Sequence, residues 1–303
     1  MTYSIVARDP DSGAFGVAVQ TCWFSVGAIV PWAVAGVGAV ATQAMVEVAY
    51  GPRCLDKLLA GADAGQALGD VRALDDDSAL RQVAVIDSDG GVDAFTGELC
   101  IDYAGHHLGV GYSVQANMMA SPQVWPAMAE AYETGKGSFP ERLLGALRAG
   151  ERAGGDARGG MSAAMLIVEG DRQDLPWQGK LVDVRVDHHD RPLDELGRLV
   201  GVADAFERID RSEEALFGGD PARALREIEI ALGRLPGDEN ARFLRAGALI
   251  YSGQADAGLD ELRSLIAGRP SWGIVVRSFV EKELLPIPDG MDIDDLATPR
   301  SEP

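Results

Sequence analysis

The chain alternates from its first residues. Tyr3, Ile5 and Ala7 fall on one side and Ser4, Val6 and Arg8 on the other, the period of two of a strand. Pro10, Asp11, Ser12 and Gly13 supply turn chemistry and residues 15–19 run back, so a hairpin is expected. Residues 28–34 and 37–41, separated by Ala35 and Gly36, read as a second hairpin. The period then changes. Leu55, Leu58 and Leu59 make a helical stripe within residues 46–59 that Gly61 ends, and residues 64–74 form a second helix. Residues 81–86 and 92–96 are strands around an Asp-Ser-Asp-Gly turn, and residues 112–117 are another. Ser121 and Pro122 open a helix that carries Val124, Met128, Ala129 and Tyr132, and residues 140–149 form a further helix. Strands at residues 162–168 and 181–186 close the series. Four strands, two helices, three strands, two helices and two strands argue for stacked layers of the α+β class rather than a doubly wound sheet.

Beyond about residue 193 the pattern is helical almost throughout. Gly219 and Gly253 are 34 residues apart, as are Pro236 and Pro270, and Leu225, Ile228 and Leu232 align with Leu259, Leu262 and Ile266. A 34-residue period in helical sequence is the tetratricopeptide signature. Arg242 stands where a large aromatic is common, and Gly258 where alanine is usual. The expected domains are therefore a layered α+β domain at 1–195, a small all-α, tetratricopeptide-like domain at 196–285 and a disordered acidic tail at 286–303. Two repeat units leave apolar faces uncovered, so Leu249, Ile250, Leu262 and Leu265 need cover from residues 272–285 or from a neighbouring subunit.

The 303 residues are 47% apolar, enough for a sizeable core. The net charge is −20, with both parts of the chain acidic. Nucleic acid and anionic membrane, which need a basic face, are therefore not expected partners. No apolar stretch reads as a membrane helix and no signal peptide is visible, so a cytoplasmic location is expected. Cys22, Cys54 and Cys100 are widely spaced and suggest neither a zinc site nor a disulfide framework. The pairs His106, His107 and His188, His189 cannot chelate from one strand face, because neighbours on a strand point opposite ways. No metal or other cofactor is expected.

Thr2 follows the initiator Met, and its small side chain makes Met1 removable. A free threonine carries nucleophile and base in one residue, since its α-amine can take the proton from its own hydroxyl, usually through a water. The layer order resembles that of the N-terminal nucleophile hydrolase fold, which implies a four-layer αββα sandwich for residues 1–195. In that arrangement the end of the fourth strand meets the nucleophile, which here is the segment around Gln43 and Ala44. Backbone amides there could stabilise an oxyanion, and Asn117, at the end of a later strand, is an uncharged side-chain donor suited to the same task. In the Gly-rich turn from Gly154, Asp156 could orient the Thr2 amine, and Arg158 could hold a substrate carboxylate or pair with Asp156. Arg53 is a second candidate for substrate binding.

Five separated motifs occur in order: TYSIVARDPDSGAFGVAV, VPWAVAGVGAVATQA, YGPRCLDKLLAG, GYSVQANMM and GDARGGMSAAMLIV. Over residues 2–195 they resemble the domain of unknown function 1028 family, which is grouped with the N-terminal nucleophile hydrolases. The resemblance implies hydrolysis of an amide or related C–N bond in a small molecule or peptide, with Thr2 as nucleophile. Members often carry a C-terminal extension labelled a putative peptidoglycan-binding domain, the place that the helical repeats occupy here. Ala116 stands where the family often has glycine and Met161 where it often has glutamine, and no Lys or Arg occurs between Asp9 and Pro52. The lysine that proteasome-type members use on the third strand is thus absent. The alternative reading is a non-catalytic binding or assembly scaffold of the same fold that docks partners through its repeats. A homo-oligomer is expected in either case.

Overall fold

The computed structural model describes residues 2–175, 177–287 and Leu296. The chain divides into two compact units, Met1–Val200 and Gly201–Pro303.

The first unit is built on two antiparallel sheets. β1 (Thr2–Arg8) and β2 (Phe15–Thr21) form the opening hairpin. The Asp9 carboxylate closes its turn by accepting from the Ser12 amide and hydroxyl at 3.1 and 2.6 Å. β3 (Pro31–Val34) and β4 (Gly38–Ala44) form the second hairpin, and β3 starts later than the apolar run suggests because Val26–Ala28 coils into a single helical turn. α1 (Tyr50–Leu59) and α2 (Ala64–Arg72) follow, with the Asp63 side chain capping α2 through the Gln66 amide at 2.8 Å. Next come β5 (Arg81–Asp87), β6 (Val92–Thr96), β7 (Gly105–Gly109) and β8 (Tyr112–Asn117). β7 corrects the sequence reading, which had three strands here rather than four. α3 (Val124–Thr134), α4 (Phe139–Arg152), β9 (Ser162–Val168) and β10 (Lys180–Val186) complete the unit, together with the start of α5 (Pro192–Phe217).

One sheet has six strands in the order β10-β9-β2-β1-β8-β7, the other four in the order β3-β4-β5-β6. Strand alternation sorts their side chains into three cores. Tyr3, Ile5 and Ala7 of β1 pack with Met128 of α3 and Leu143 and Leu147 of α4. Val6, Val17 and Val19 on the opposite face meet Ala39, Ala41, Ala84 and Ile86 of the smaller sheet. That sheet's outer face, with Val40, Val83 and Val85, packs against Leu55, Leu58 and Leu68 of α1 and α2. The layers therefore run helix, sheet, sheet, helix. Gly16 lets α4 approach β2 closely, since a Cβ there would lie 2.6 Å from Leu143 Cδ1. The boundary expected at 195/196 falls inside α5, whose Leu196 and Val200 belong to the first core.

The second unit is helical: α6 (Pro221–Arg234), α7 (Glu239–Tyr251), α8 (Ala255–Gly268) and α9 (Trp272–Glu281). α8 begins and ends 34 residues after α6. Ile228 and Leu244 pack with Ile209 and Leu216, while Leu225 and Leu232 lie partly buried against them. Ile250, Leu262 and Leu265 form a second cluster with Phe243, Trp272, Val276 and Leu285. The segment from Trp272 to Leu285 thus supplies cover for those three residues. Of the expected acidic tail, residues 288–295 and 297–303 lie outside the described residues, and Leu296 is buried in the second cluster.

Candidate active site

Thr2 begins β1 and is flanked on both sides, pairing with Thr21 at the end of β2 and Asn117 at the end of β8. Alternation turns its side chain to the face that carries Ser4 and Val6, between the sheets. Its Oγ1 donates to Thr21 Oγ1 at 3.2 Å, and the Trp23 amide donates to the same oxygen at 3.3 Å. Beside Thr2 opens a cavity of about 300 Å³. Val26, Ile29, Val30 and Val46 form apolar walls, Ala44 stands at the end of β4, and Arg158 adds the one side-chain charge among the lining residues. Trp23 and Met45 stand at the rim, 64% and 61% exposed.

The inter-sheet layer, apolar along most of its length, becomes polar at this end. Gln43 Nε2 donates to Gln82 Oε1 at 2.7 Å and to the Thr2 carbonyl at 3.2 Å. Asn117 Nδ2 donates to Gln82 Oε1 at 2.8 Å and to the Thr2 carbonyl at 3.4 Å. Gln82 Nε2 in turn reaches the Ala116 carbonyl, Thr96 Oγ1 and the Gly105 carbonyl at 2.9, 2.8 and 3.1 Å. On the other side Ser4 Oγ donates to Gln43 Oε1 at 2.7 Å and accepts from Gln115 Nε2 at 2.6 Å. Gln43, Gln82, Gln115 and Ser4 are fully buried and Asn117 nearly so. The ladder reaches the edge of the sheet at His106, whose Nδ1 lies 2.8 Å from Thr96 Oγ1 and whose pKa burial lowers.

Asp156 closes the site from the side of β2 and β8. Its carboxylate is wholly buried, and it accepts from the Cys22 amide at 3.2 Å and the Arg158 amide at 3.0 Å. The Arg158 guanidinium contacts it at 3.3 Å through Nε and Nη2 while remaining about one-third exposed. Burial first, and the Asp156 charge second, push the Cys22 thiol up. Ala44, the last residue of β4, and Met118, just past the end of β8, both hold left-handed backbone, at φ 72° and 54°. Such conformations cost about 1–3 kcal/mol for a residue with a side chain and persist only where the surroundings over-determine them.

Thr2, Gln43, Ala44, Asn117, Asp156 and Arg158 are thus gathered at one end of the two sheets. Arg53 is not: it is exposed on α1 and does not line the cavity. The carboxamide of Asn117 is engaged by Gln82 and the Thr2 carbonyl. His107, His188 and His189 are exposed, and among the described residues no group of three or more His, Cys, Asp or Glu side chains could hold a metal ion.

The family model described as a family of unknown function, DUF1028, matches residues 2–196. The chain belongs to this family. The crystal structure of protein SPO2555 from Silicibacter pomeroyi, also of DUF1028, is 35% identical, with a TM-score of 0.60 over 66% of this chain and 84% of that one. No curated protein matches the chain. The matched DUF1028 region ends within α5 and contains every residue of the site.

Sequence reasoning missed Gln82, and it placed Gln115 at the strand end that points toward the site without giving it a role. Gln82 is a lone large polar residue at an inward position of the apolar strand RQVAVID, and Gln115 lies between Ser113 and Asn117 on the inward face of YSVQAN. Such a residue needs a buried hydrogen-bond partner, and that requirement was the available signal.

Proposed function

We propose that the first unit is an N-terminal nucleophile hydrolase that cleaves an amide or related C–N bond in a small molecule or peptide. The observation that carries this reading is the setting of Thr2: a strand-end hydroxyl, hydrogen-bonded to Thr21, on the wall of an apolar cavity. The helix-sheet-sheet-helix layering agrees with that fold. Removal of Met1 frees the Thr2 amine, which takes the hydroxyl proton through a water as Oγ1 attacks the carbonyl carbon. The tetrahedral oxyanion is stabilised by backbone amides around Gln43 and Ala44. Asn117, with its amide nitrogen given to the Thr2 carbonyl and Gln82, positions the nucleophile. Collapse breaks the C–N bond, the departing nitrogen takes the proton from the α-ammonium, and water hydrolyses the resulting ester. Asp156 steadies the amine while it is protonated, both at rest and after it has taken the hydroxyl proton, and the neutral form is the one that takes that proton. The C-terminal unit is read as a tetratricopeptide-like module for protein contacts, including contacts between copies of the chain. Among the described residues no helix is long and apolar enough to cross a membrane.

The engagement of Asn117 and Gln43 within the buried ladder favours a second reading, a scaffold that binds without turnover. Intact mass and a broad amide and lactam panel separate the two. The hydrolase lacks Met1 and turns over at least one panel member, and Thr2→Ala abolishes that turnover while costing no more than about 1.5 kcal/mol of stability. Met1 retained throughout the purified protein, or equal turnover by Thr2→Ala, refutes catalysis by Thr2.

A further inference from the structure

The cavity beside Thr2 defines a ligand class. Its volume of about 300 Å³ is at the small end of ligand sites and corresponds to about ten waters at about 30 Å³ each. Val26 and Val30 are buried in the inter-sheet core, so the inner wall is rigid and dry, suited to a compact branched apolar group. Arg158 supplies the one side-chain charge among the lining residues. Its guanidinium uses Nε and Nη2 on Asp156, in contacts of 3.3 Å, and a guanidinium has five N–H donors. The donors not aimed at Asp156 stay available on a side chain that is one-third exposed. Asp156 also accepts two backbone amides, so its buried charge does not depend on Arg158 alone. In a chain of net charge −20 a small anion has little general attraction to the surface. The site recognises it through this one directed fork.

We infer that the site takes small amides that carry a carboxylate and a compact branched apolar group, with the carboxylate on Arg158 and the apolar group against Ile29, Val30 and Val46. This ligand class rests on the hydrolase reading for its scissile amide, but its recognition can be measured separately.

The probes are N-isovaleryl-glycine, its uncharged carboxamide N-isovaleryl-glycinamide, and N-acetyl-glycine, which keeps the carboxylate and lacks the branched group. Calorimetric titration of the full-length Thr2→Ala protein reads binding without turnover. N-isovaleryl-glycine is expected to bind about tenfold or more tightly than either comparison compound. Arg158→Gln should abolish the preference for the acid over its carboxamide and Arg158→Lys should restore part of it. Ile29→Trp, which fills the apolar side, should remove the preference for isovaleryl over acetyl. Equal binding of acid and carboxamide by the Thr2→Ala protein overturns the inference, as does a preference that survives Arg158→Gln. If Arg158→Gln does not fold, the comparison of probes and the Ile29→Trp variant still decide. Tight binding of the acid with no cleavage by the wild type supports the ligand class and refutes the hydrolase. Cleavage of acid and carboxamide at equal rates does the reverse.

Discussion

Gln82→Met removes the junction of the buried ladder while keeping the length of the side chain. Gln82 Oε1 accepts from Gln43 Nε2 and Asn117 Nδ2 at 2.7 and 2.8 Å. Without it, Gln43 keeps contacts of 3.2 and 3.4 Å to the Thr2 and Gln115 carbonyls, and Asn117 keeps one of 3.4 Å to the Thr2 carbonyl. Two buried amide donors are left with long, weak bonds. Each costs about 1–3 kcal/mol, so the expected loss is about 4 kcal/mol. That is a large share of the 5–15 kcal/mol that holds a typical domain, and for a unit of this size it lowers the melting temperature by roughly 8–16 °C. Thr96 is less affected, because its hydroxyl still meets His106. Urea titration of the full chain, followed through hydrogen exchange of β1 and β8 amides, measures the change in the first unit. Gln66→Met, on the exposed face of α2, is the control and should stay within about 0.5 kcal/mol of wild type. A loss of less than about 1 kcal/mol for Gln82→Met would refute the view that the ladder holds the two sheets together at this end.

Two other expectations concern buried groups outside the ladder. The Tyr3 hydroxyl is fully buried with no hydrogen-bond partner among the described residues, and burial raises its pKa. Tyr3→Phe should therefore hold or raise stability, by up to about 1 kcal/mol, whereas a loss greater than that in urea titration would mean the hydroxyl is bonded. Burial pushes the Cys54 thiol up to about 12. The folded pKa lies above the unfolded value, so its contribution is complete below about pH 9 and is lost as pH rises towards 12, by about 1.4 kcal/mol per pH unit. Urea midpoints between pH 8.5 and 11 should fall less steeply in Cys54→Ala than in wild type, and equal slopes would count against the burial.

The long strands were legible because apolar alternation and burial coincide in them. β8, β6 and β9 have the bounds expected from their patterns. β7 was not legible, because Gly105, His106, His107, Leu108 and Gly109 carry no apolar alternation. It is an edge strand, with His107 and Leu108 exposed, and its conformation comes from pairing with β8 rather than from its own sequence. Which sheet each hairpin joins was likewise not written locally, since β1 lies between β2 and β8, far apart in the chain. At the site, Thr2, Gln43, Ala44 and Asn117 could be placed as strand ends and Asp156 as part of a turn. Arg53 belonged to a motif, and membership of a motif says nothing about which way a helix turns a side chain. The role of Gln82 depends on groups from four strands meeting at one oxygen and one nitrogen, which no single strand pattern encodes.

The position of the ladder explains why the site is where it is. Apolar contact between two sheets is favourable but non-directional, and it tolerates small slides of one sheet over the other. The bond from Gln43 Nε2 to the Thr2 carbonyl is directional, and it ties the end of β4 to the first residue of β1. Gln82 repeats the tie between β5 and the carbonyl of Ala116 on β8. With both sheets fixed at this end, the chain beyond Gln43 and beyond Asn117 must turn sharply, and Ala44 and Met118 take left-handed backbone there. That strain is held by the ladder beneath it, so Ala44 keeps its place on the wall of the Thr2 cavity. A purely apolar inter-sheet layer could supply comparable stability, but nothing in it would fix the distance from Ala44 to the Thr2 hydroxyl. Fully satisfied buried amides supply that positional constraint, which is why they cluster at the end of the sandwich that carries the site.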